Sequence, residues 1–164
     1  AQILRYEDIF RFAELGVIPS MQATHATSDK NMAIDRIGEV RIQGAYAWRK
    51  LIDAGALIAN GSDFPVESPN PFFGLHAAIT RQDKNNQPPG GWFPEEKMTA
   101  IEAFASFTID AAYSGHQENL LGTLEPGKKA DFIILDRDIF AIDDSQIWQI
   151  EVEQTWVNGQ RVSN

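Results

Sequence analysis

An α/β fold is what this sequence predicts, on three observations. Between Val17 and Thr80, apolar runs of strand length alternate with helical stretches, the rhythm of a parallel βαβ crossover. Loops rich in Gly, Ser, Asp and Asn follow the apolar runs. After Gly122 the texture changes to β-prone runs joined by Asn158-Gly159, a strong short hairpin signal. The expected plan is an α/β body over residues 1–118 and a small, mostly antiparallel β unit over residues 119–164.

The elements follow in order. Tyr6 to Leu15 is expected to be helical: Ile9, Phe10, Phe12 and Ala13 cluster on one face, and Gly16 supplies the stop. Val17 to Gln22 reads as a short strand, although Pro19 counts against a regular central one. Ala23 to Asn31 reads as a polar stretch without regular structure and holds His25. Val40 to Ala54 is the clearest helix, with Ile42, Ala45, Trp48, Leu51 and Ile52 at helical spacing. Ala56 to Asn60 is an apolar strand that runs into Gly61-Ser62-Asp63-Phe64-Pro65.

A helix is expected from Pro71 to Thr80, then loop from Gln82 to Pro94. Thr99 and Glu102 have the spacing of a capping box, with the helix running from Ala100 toward Ser114. Leu124 to Gly127 is a turn. Ala130 to Leu135 and Trp148 to Trp156 are β runs, and a last strand leads into Val162.

Length and composition bound the function. At 164 residues the chain is one domain or one large piece of a bigger one. Its formal charge of −9 counts against electrostatic binding to nucleic acid or anionic lipid, since both need a basic patch. A small acidic ligand on one or two Arg residues stays open. No apolar run approaches the ~20 residues that cross a bilayer. Without cysteine, there is no disulfide, thiolate nucleophile or Cys-based metal site. Any metal must be held by His, Asp or Glu, and the only histidines are His25, His76 and His116. The compartment is left open. The chain opens Ala-Gln-Ile-Leu-Arg, without Met or signal peptide, and is read as a cleaved chain or an internal piece.

The sharpest candidate is Asp63. A carboxylate just past the end of a parallel strand sits where barrels and open α/β sheets place chemistry. It can bind a divalent metal or take a proton. The alternative is a structural Asp that caps the helix near Pro71 or closes an Asx turn. His25 follows its strand in the same way, as metal ligand, oxyanion donor, substrate contact or plain loop residue. His76 is expected to be a satisfied helix residue, and His116 a helix-end residue with no catalytic part. Arg36, in the loop before the long helix, is a surface residue by default but has the chemistry to clamp a substrate carboxylate. There is no phosphate loop, nucleophile elbow or His-Glu-x-x-His motif.

Longer motifs carry a resemblance. Ser20-Met21-Gln22-Ala23-Thr24-His25-Ala26-Thr27-Ser28-Asp29, Gly44-Ala45-Tyr46-Ala47-Trp48-Arg49 and Gly61-Ser62-Asp63-Phe64-Pro65-Val66-Glu67-Ser68-Pro69-Asn70-Pro71 resemble the amidohydrolase superfamily. The match is to its amidohydrolase-3 branch, the YtcJ-like metal-dependent hydrolases that include N-substituted formamide deformylase. Thr80-Arg81-Gln82-Asp83, Pro88-Pro89-Gly90-Gly91-Trp92 and Gly122-Thr123-Leu124-Glu125-Pro126-Gly127-Lys128-Lys129-Ala130-Asp131 fit the same branch.

The resemblance implies a fold: the C-terminal part of a TIM-type (β/α) barrel over residues 1–118, plus a β-sandwich segment over 119–164. It also implies a divalent metal, zinc in many relatives. In such relatives a His-x-His pair, a mid-barrel lysine or acid, two further histidines and a strand-end aspartate hold it. Only that aspartate maps here, onto Asp63, as metal ligand and as the proton shuttle from hydrolytic water to leaving nitrogen. His25 and Arg36 match positions near the active-site mouth and are expected to contact substrate. An Ala-Gln like Ala1-Gln2 directly follows a ligand histidine in relatives.

The expected function is therefore the C-terminal fragment of a hydrolase acting on a non-peptide carbon–nitrogen bond of a small amide-type molecule. As a fragment it is expected to be inactive, to bind no metal tightly, and to self-associate or pair with the missing N-terminal part. The rival is a non-catalytic binding or regulatory module on the same scaffold.

Overall fold

The computed structural model describes residues 1–163 and has the expected mixed α/β character. Asn164, the last residue of the expected β segment, lies outside the described residues.

A tight 3-10 turn at Tyr6–Asp8 leads into α1, Ile9–Leu15. Gly16 ends it in the left-handed conformation, φ 64°, as its position predicts. The strand that follows is shorter than expected: β1 is only Ser20–Met21. Val17 N is drawn back to Phe12 O at 2.8 Å, and Pro19, fully buried, has no N–H to offer a ladder.

The polar stretch is a correction. Ala23–Asp29 forms a helix, α2, with Ala23, Ala26 and Thr27 buried. Those three positions have helical spacing, but their side chains are too small to register as an apolar stripe.

The long helix is a second correction. Helix α3 spans Ala33–Arg41, bends at Gly38, and gives way to a 3-10 turn at Ile42–Gly44 before α4, Trp48–Asp53. The N-terminal segment causes the break. Leu4 N donates to Gly44 O at 2.9 Å and Tyr46 N to Gln2 O at 2.8 Å, with Ile3 bridged to Ala45. Only glycine fits at residue 44, because a Cβ there would lie 2.3 Å from Leu4 O. Ile42, Ala45, Trp48 and Leu51 are still all buried. The apolar spacing marked the core correctly, although the backbone between these residues is not one helix.

β2, Ala59–Asn60, pairs in parallel with β1, Ser20 opposite Ala59 and Met21 opposite Asn60. The predicted βαβ unit is present. α5 spans Pro71–Thr80 as expected, with Pro71 in its first turn and Asn70 accepting from Phe72 N at 2.9 Å. It is buried on almost every side, with α2 and the 3-10 turn Asp144–Gln149 packed against it.

The capping box forms: Thr99 N donates to Glu102 Oε2 at 2.8 Å and Glu102 N to Thr99 Oγ1 at 3.3 Å. The helix it starts is not continuous. Thr108 separates α6, Ala100–Phe107, from α7, Ile109–Ser114. Thr108 Oγ1 bonds back to Phe104 O at 2.8 Å, which competes with the helical ladder.

β3, Phe132–Leu135, β4, Val152–Val157, and β5, Gln160–Ser163, form an antiparallel sheet in sequence order. Asn158 and Gly159 both take positive φ in the hairpin between the last two strands, as the dipeptide predicts. The expected run from Trp148 begins later, because Trp148 lies in the 3-10 turn that buries Ile147.

Candidate functional site

Adjacent parallel strands that end together deliver their following residues to one place. Beyond Met21 the chain turns into α2 and carries His25; beyond Asn60 it passes through Gly61-Ser62 to Asp63. Gly61 N donates to Met21 O at 3.1 Å and keeps the two exits side by side. Asp63 takes φ 55°, a left-handed conformation that Asp tolerates better than most residues. Val66 N closes the turn on Asp63 O at 2.8 Å.

The result brings the two sequence candidates together. His25 Nε2 lies 3.6 Å from Asp63 Oδ2, with the His25 side chain 13% exposed and that of Asp63 50% exposed. That separation is too long for a hydrogen bond. Both ring nitrogens of His25 are buried and have no hydrogen-bond partner. A buried polar atom left unpaired is costly and asks for an explanation.

The structural alternative for Asp63 was a helix cap or an Asx turn. The cap of α5 is Asn70. Asp63 meets its turn through its backbone carbonyl. Its carboxylate remains uncommitted, half in solvent.

The donor chemistry of an imidazole and a carboxylate suits a divalent metal, but only as part of a coordination shell. Among the described residues no three His, Asp or Glu side chains gather into a metal site.

Arg36 is placed differently from expectation. It lies on α3, not in a loop, and is exposed. Among the described residues no hydrogen bond or ion pair joins its guanidinium to Asp63 or His25. His76 is buried on α5 with Nε2 3.0 Å from Asn86 Oδ1; burial lowers its pKa, in keeping with a satisfied structural residue. His116 follows α7 at φ 55°.

Several side chains around α2 escaped the sequence reading. Tyr46, Asp29 and Gln2 form a hydrogen-bonded cluster. Arg81 is fully buried, donates Nε to Trp92 O at 2.8 Å and Nη1 to Tyr46 O at 2.9 Å, and stacks 4.2 Å over the Trp48 ring. Burial pushes its pKa down to about 9. The usable signal was the apolar company of Arg81 at the end of a helix that is hydrophobic all round. Beside these residues, Thr24, Ser28, Lys30, Glu67 and Asp83 line part of a cleft of about 440 Å³.

Comparison with known proteins gives this arrangement its lineage. The family model described as the amidohydrolase family matches residues 1–163. The chain belongs to the amidohydrolase family. It is 35% identical to the putative amidohydrolase YtcJ of Bacillus subtilis over 162 residues, 99% of this chain and 31% of that protein. It is 30% identical to the N-substituted formamide deformylase of Arthrobacter pascens over 111 residues, 68% of this chain and 20% of that protein. An uncharacterized metal-dependent hydrolase from Pyrococcus horikoshii superposes with a TM-score of 0.75 at 27% identity, over 88% of this chain and 29% of that one. The chain thus spans about a third or less of the length of these amidohydrolase relatives.

Proposed function

We propose that this chain is the C-terminal part of a metal-dependent hydrolase that cleaves a carbon–nitrogen bond other than a peptide bond in a small amide, formamide or cyclic amide. The observation that carries the reading is an uncommitted carboxylate, Asp63, and an unpaired buried imidazole, His25, meeting at the ends of two parallel strands. Family membership over residues 1–163 supports it. In this reading residues 1–118 belong to a (β/α) barrel and residues 119–164 to a β-sandwich. Asp63 would be this chain's share of the ligands for a divalent metal, zinc by resemblance, whose chemistry when bound would be Lewis acidity and the activation of water at neutral pH.

Asp63 then does two things. Its carboxylate is one ligand, and it accepts a proton from the attacking water and returns it to the departing nitrogen. Its partial exposure leaves room for both. His25 contacts the substrate beside it. Arg36 is a guanidinium available to an acidic substrate group. One carboxylate falls short of the three or four protein ligands that a tight site requires, so the isolated chain is inactive and holds metal weakly. The outer edges of the two-stranded β1–β2 sheet, where the Ala1 amine reaches Ser20 O, and the exposed Phe10, Leu15 and Val17 near α1 are covered by the preceding part of the protein or by a second copy.

The test is Asp63→Asn in the longer protein, assayed by amine release from an N-substituted formamide and by ring opening of a cyclic amide. The expected loss is about 10²–10⁴-fold in kcat. Full activity in the variant contradicts the assignment.

A further inference from the structure

Two motifs that the site itself leaves unused, residues 44–49 and 80–92, converge on α2. This helix has seven residues and no side-chain cap at its N-terminus, too little to hold its own conformation. It is held from outside, at its C-terminal turn. Tyr46 Oη donates to Asp29 Oδ2 at 2.6 Å. Gln2 Nε2 donates to the same oxygen at 2.8 Å and to Tyr46 Oη at 3.2 Å. Lys30 meets Asp83 at 2.7 Å, and Ser28 Oγ donates to Glu67 Oε1 at 2.6 Å.

Tyr46 is itself firmly seated. It is 3% exposed, and its ring meets Trp92 edge-on at 5.4 Å. Its N–H is bonded to Gln2 O and its carbonyl accepts from buried Arg81. Asp29 lies four residues beyond His25, on the same side of the helix. A shift at Asp29 is therefore passed to His25 through less than one and a half turns.

We propose that Tyr46 is a positioning residue: its hydroxyl, seated on Asp29, fixes the placement of α2 and so sets His25 opposite Asp63. The inference rests on the reading of His25 and Asp63 as the site. It gives the Gly44–Arg49 and Thr80–Trp92 motifs a shared purpose, as the mounting of the helix that carries His25. Burial and the Asp29 acceptor push the Tyr46 phenol up to about 12, so the hydroxyl remains a donor throughout the working pH range. Without it, Asp29 keeps only Gln2.

The experiment is NMR on this chain. It reads the cross-relaxation peak between the His25 ring protons and the Asp63 β-protons in the wild type, Tyr46→Phe, Asp29→Ala and Asp29→Asn. A clear peak is expected in the wild type. It falls at least threefold in Tyr46→Phe, with amide exchange in residues 24–29 rising about tenfold, while peaks between Phe132 and Trp156 persist. Asp29→Asn retains an acceptor oxygen and most of the peak. Should Tyr46→Phe fail to fold, Asp29→Ala removes the same bond from the helix side and shows the same loss. A hydroxyl that only stabilised the fold would lower the melting temperature and leave the His25–Asp63 peak intact, and that result overturns the proposal. A wild type with no such peak overturns the site reading itself, and this inference with it.

Discussion

Asp63 is half exposed and its carboxylate is tied to nothing else, so its removal is expected to separate function from stability. Asp63→Asn should change the unfolding free energy of this chain by no more than about 0.5 kcal/mol. A loss above about 2 kcal/mol in denaturant titration would show that the carboxylate serves the fold. Glu102 is the opposite case. Its hydrogen bonds with Arg49, at Nη1 3.0 Å away, hold its carboxyl down to about 2, and the Thr99 bonds of the capping box assist. A carboxyl depressed in the folded state stabilises it above the unfolded pKa, near 4.5. That stability is lost as the pH falls from there toward about 2. Each partner is about a quarter exposed, so solvent screening leaves on the order of 2 kcal/mol at neutral pH. Urea titrations at pH 6 and pH 3 should show Glu102→Gln with a markedly smaller drop than the wild type; equal drops would remove Glu102 from the acid response.

At the scale of elements, the sequence was legible wherever one local signal decided the backbone. Pro71 with Asn70 marked the start of α5, Thr99 with Glu102 marked α6, and Asn158-Gly159 marked the hairpin. It was illegible where distant backbone competes. Nothing local announces that residues 2–4 bond to residues 44–46 and split the helix expected over 40–54. The small side chains of α2 likewise hide a buried face. The site was half legible: Asp63 and His25 stood out, whereas Tyr46, Asp29 and Gln2 act through contacts 17 to 44 residues apart in sequence. Gly91 offers a direct check on the mounting of α2. A Cβ there would lie 2.4 Å from Thr80 O, at φ 99°. Gly91→Ala should cost about 2 kcal/mol or more, read by thermal unfolding; a melting temperature equal to that of the wild type would mean that the 80–92 loop packs otherwise.

At the scale of the whole molecule, the described residues contain two small sheets and many exposed apolar side chains, Phe10, Leu15, Phe64, Val66, Ile101 and Leu124 among them. Surfaces of that kind favour association. Sedimentation velocity at increasing concentration is expected to show dimers or larger species, and a monomer that persists at high concentration argues that these faces need no cover. The central proposal is that Asp63 is one ligand of a metal site that the described residues alone do not complete. Zinc titrated calorimetrically into the chain and into Asp63→Asn tests it most directly. Weak binding that the substitution abolishes is the expected result. A tight one-to-one site in this chain, or weak binding that survives Asp63→Asn, would contradict the account.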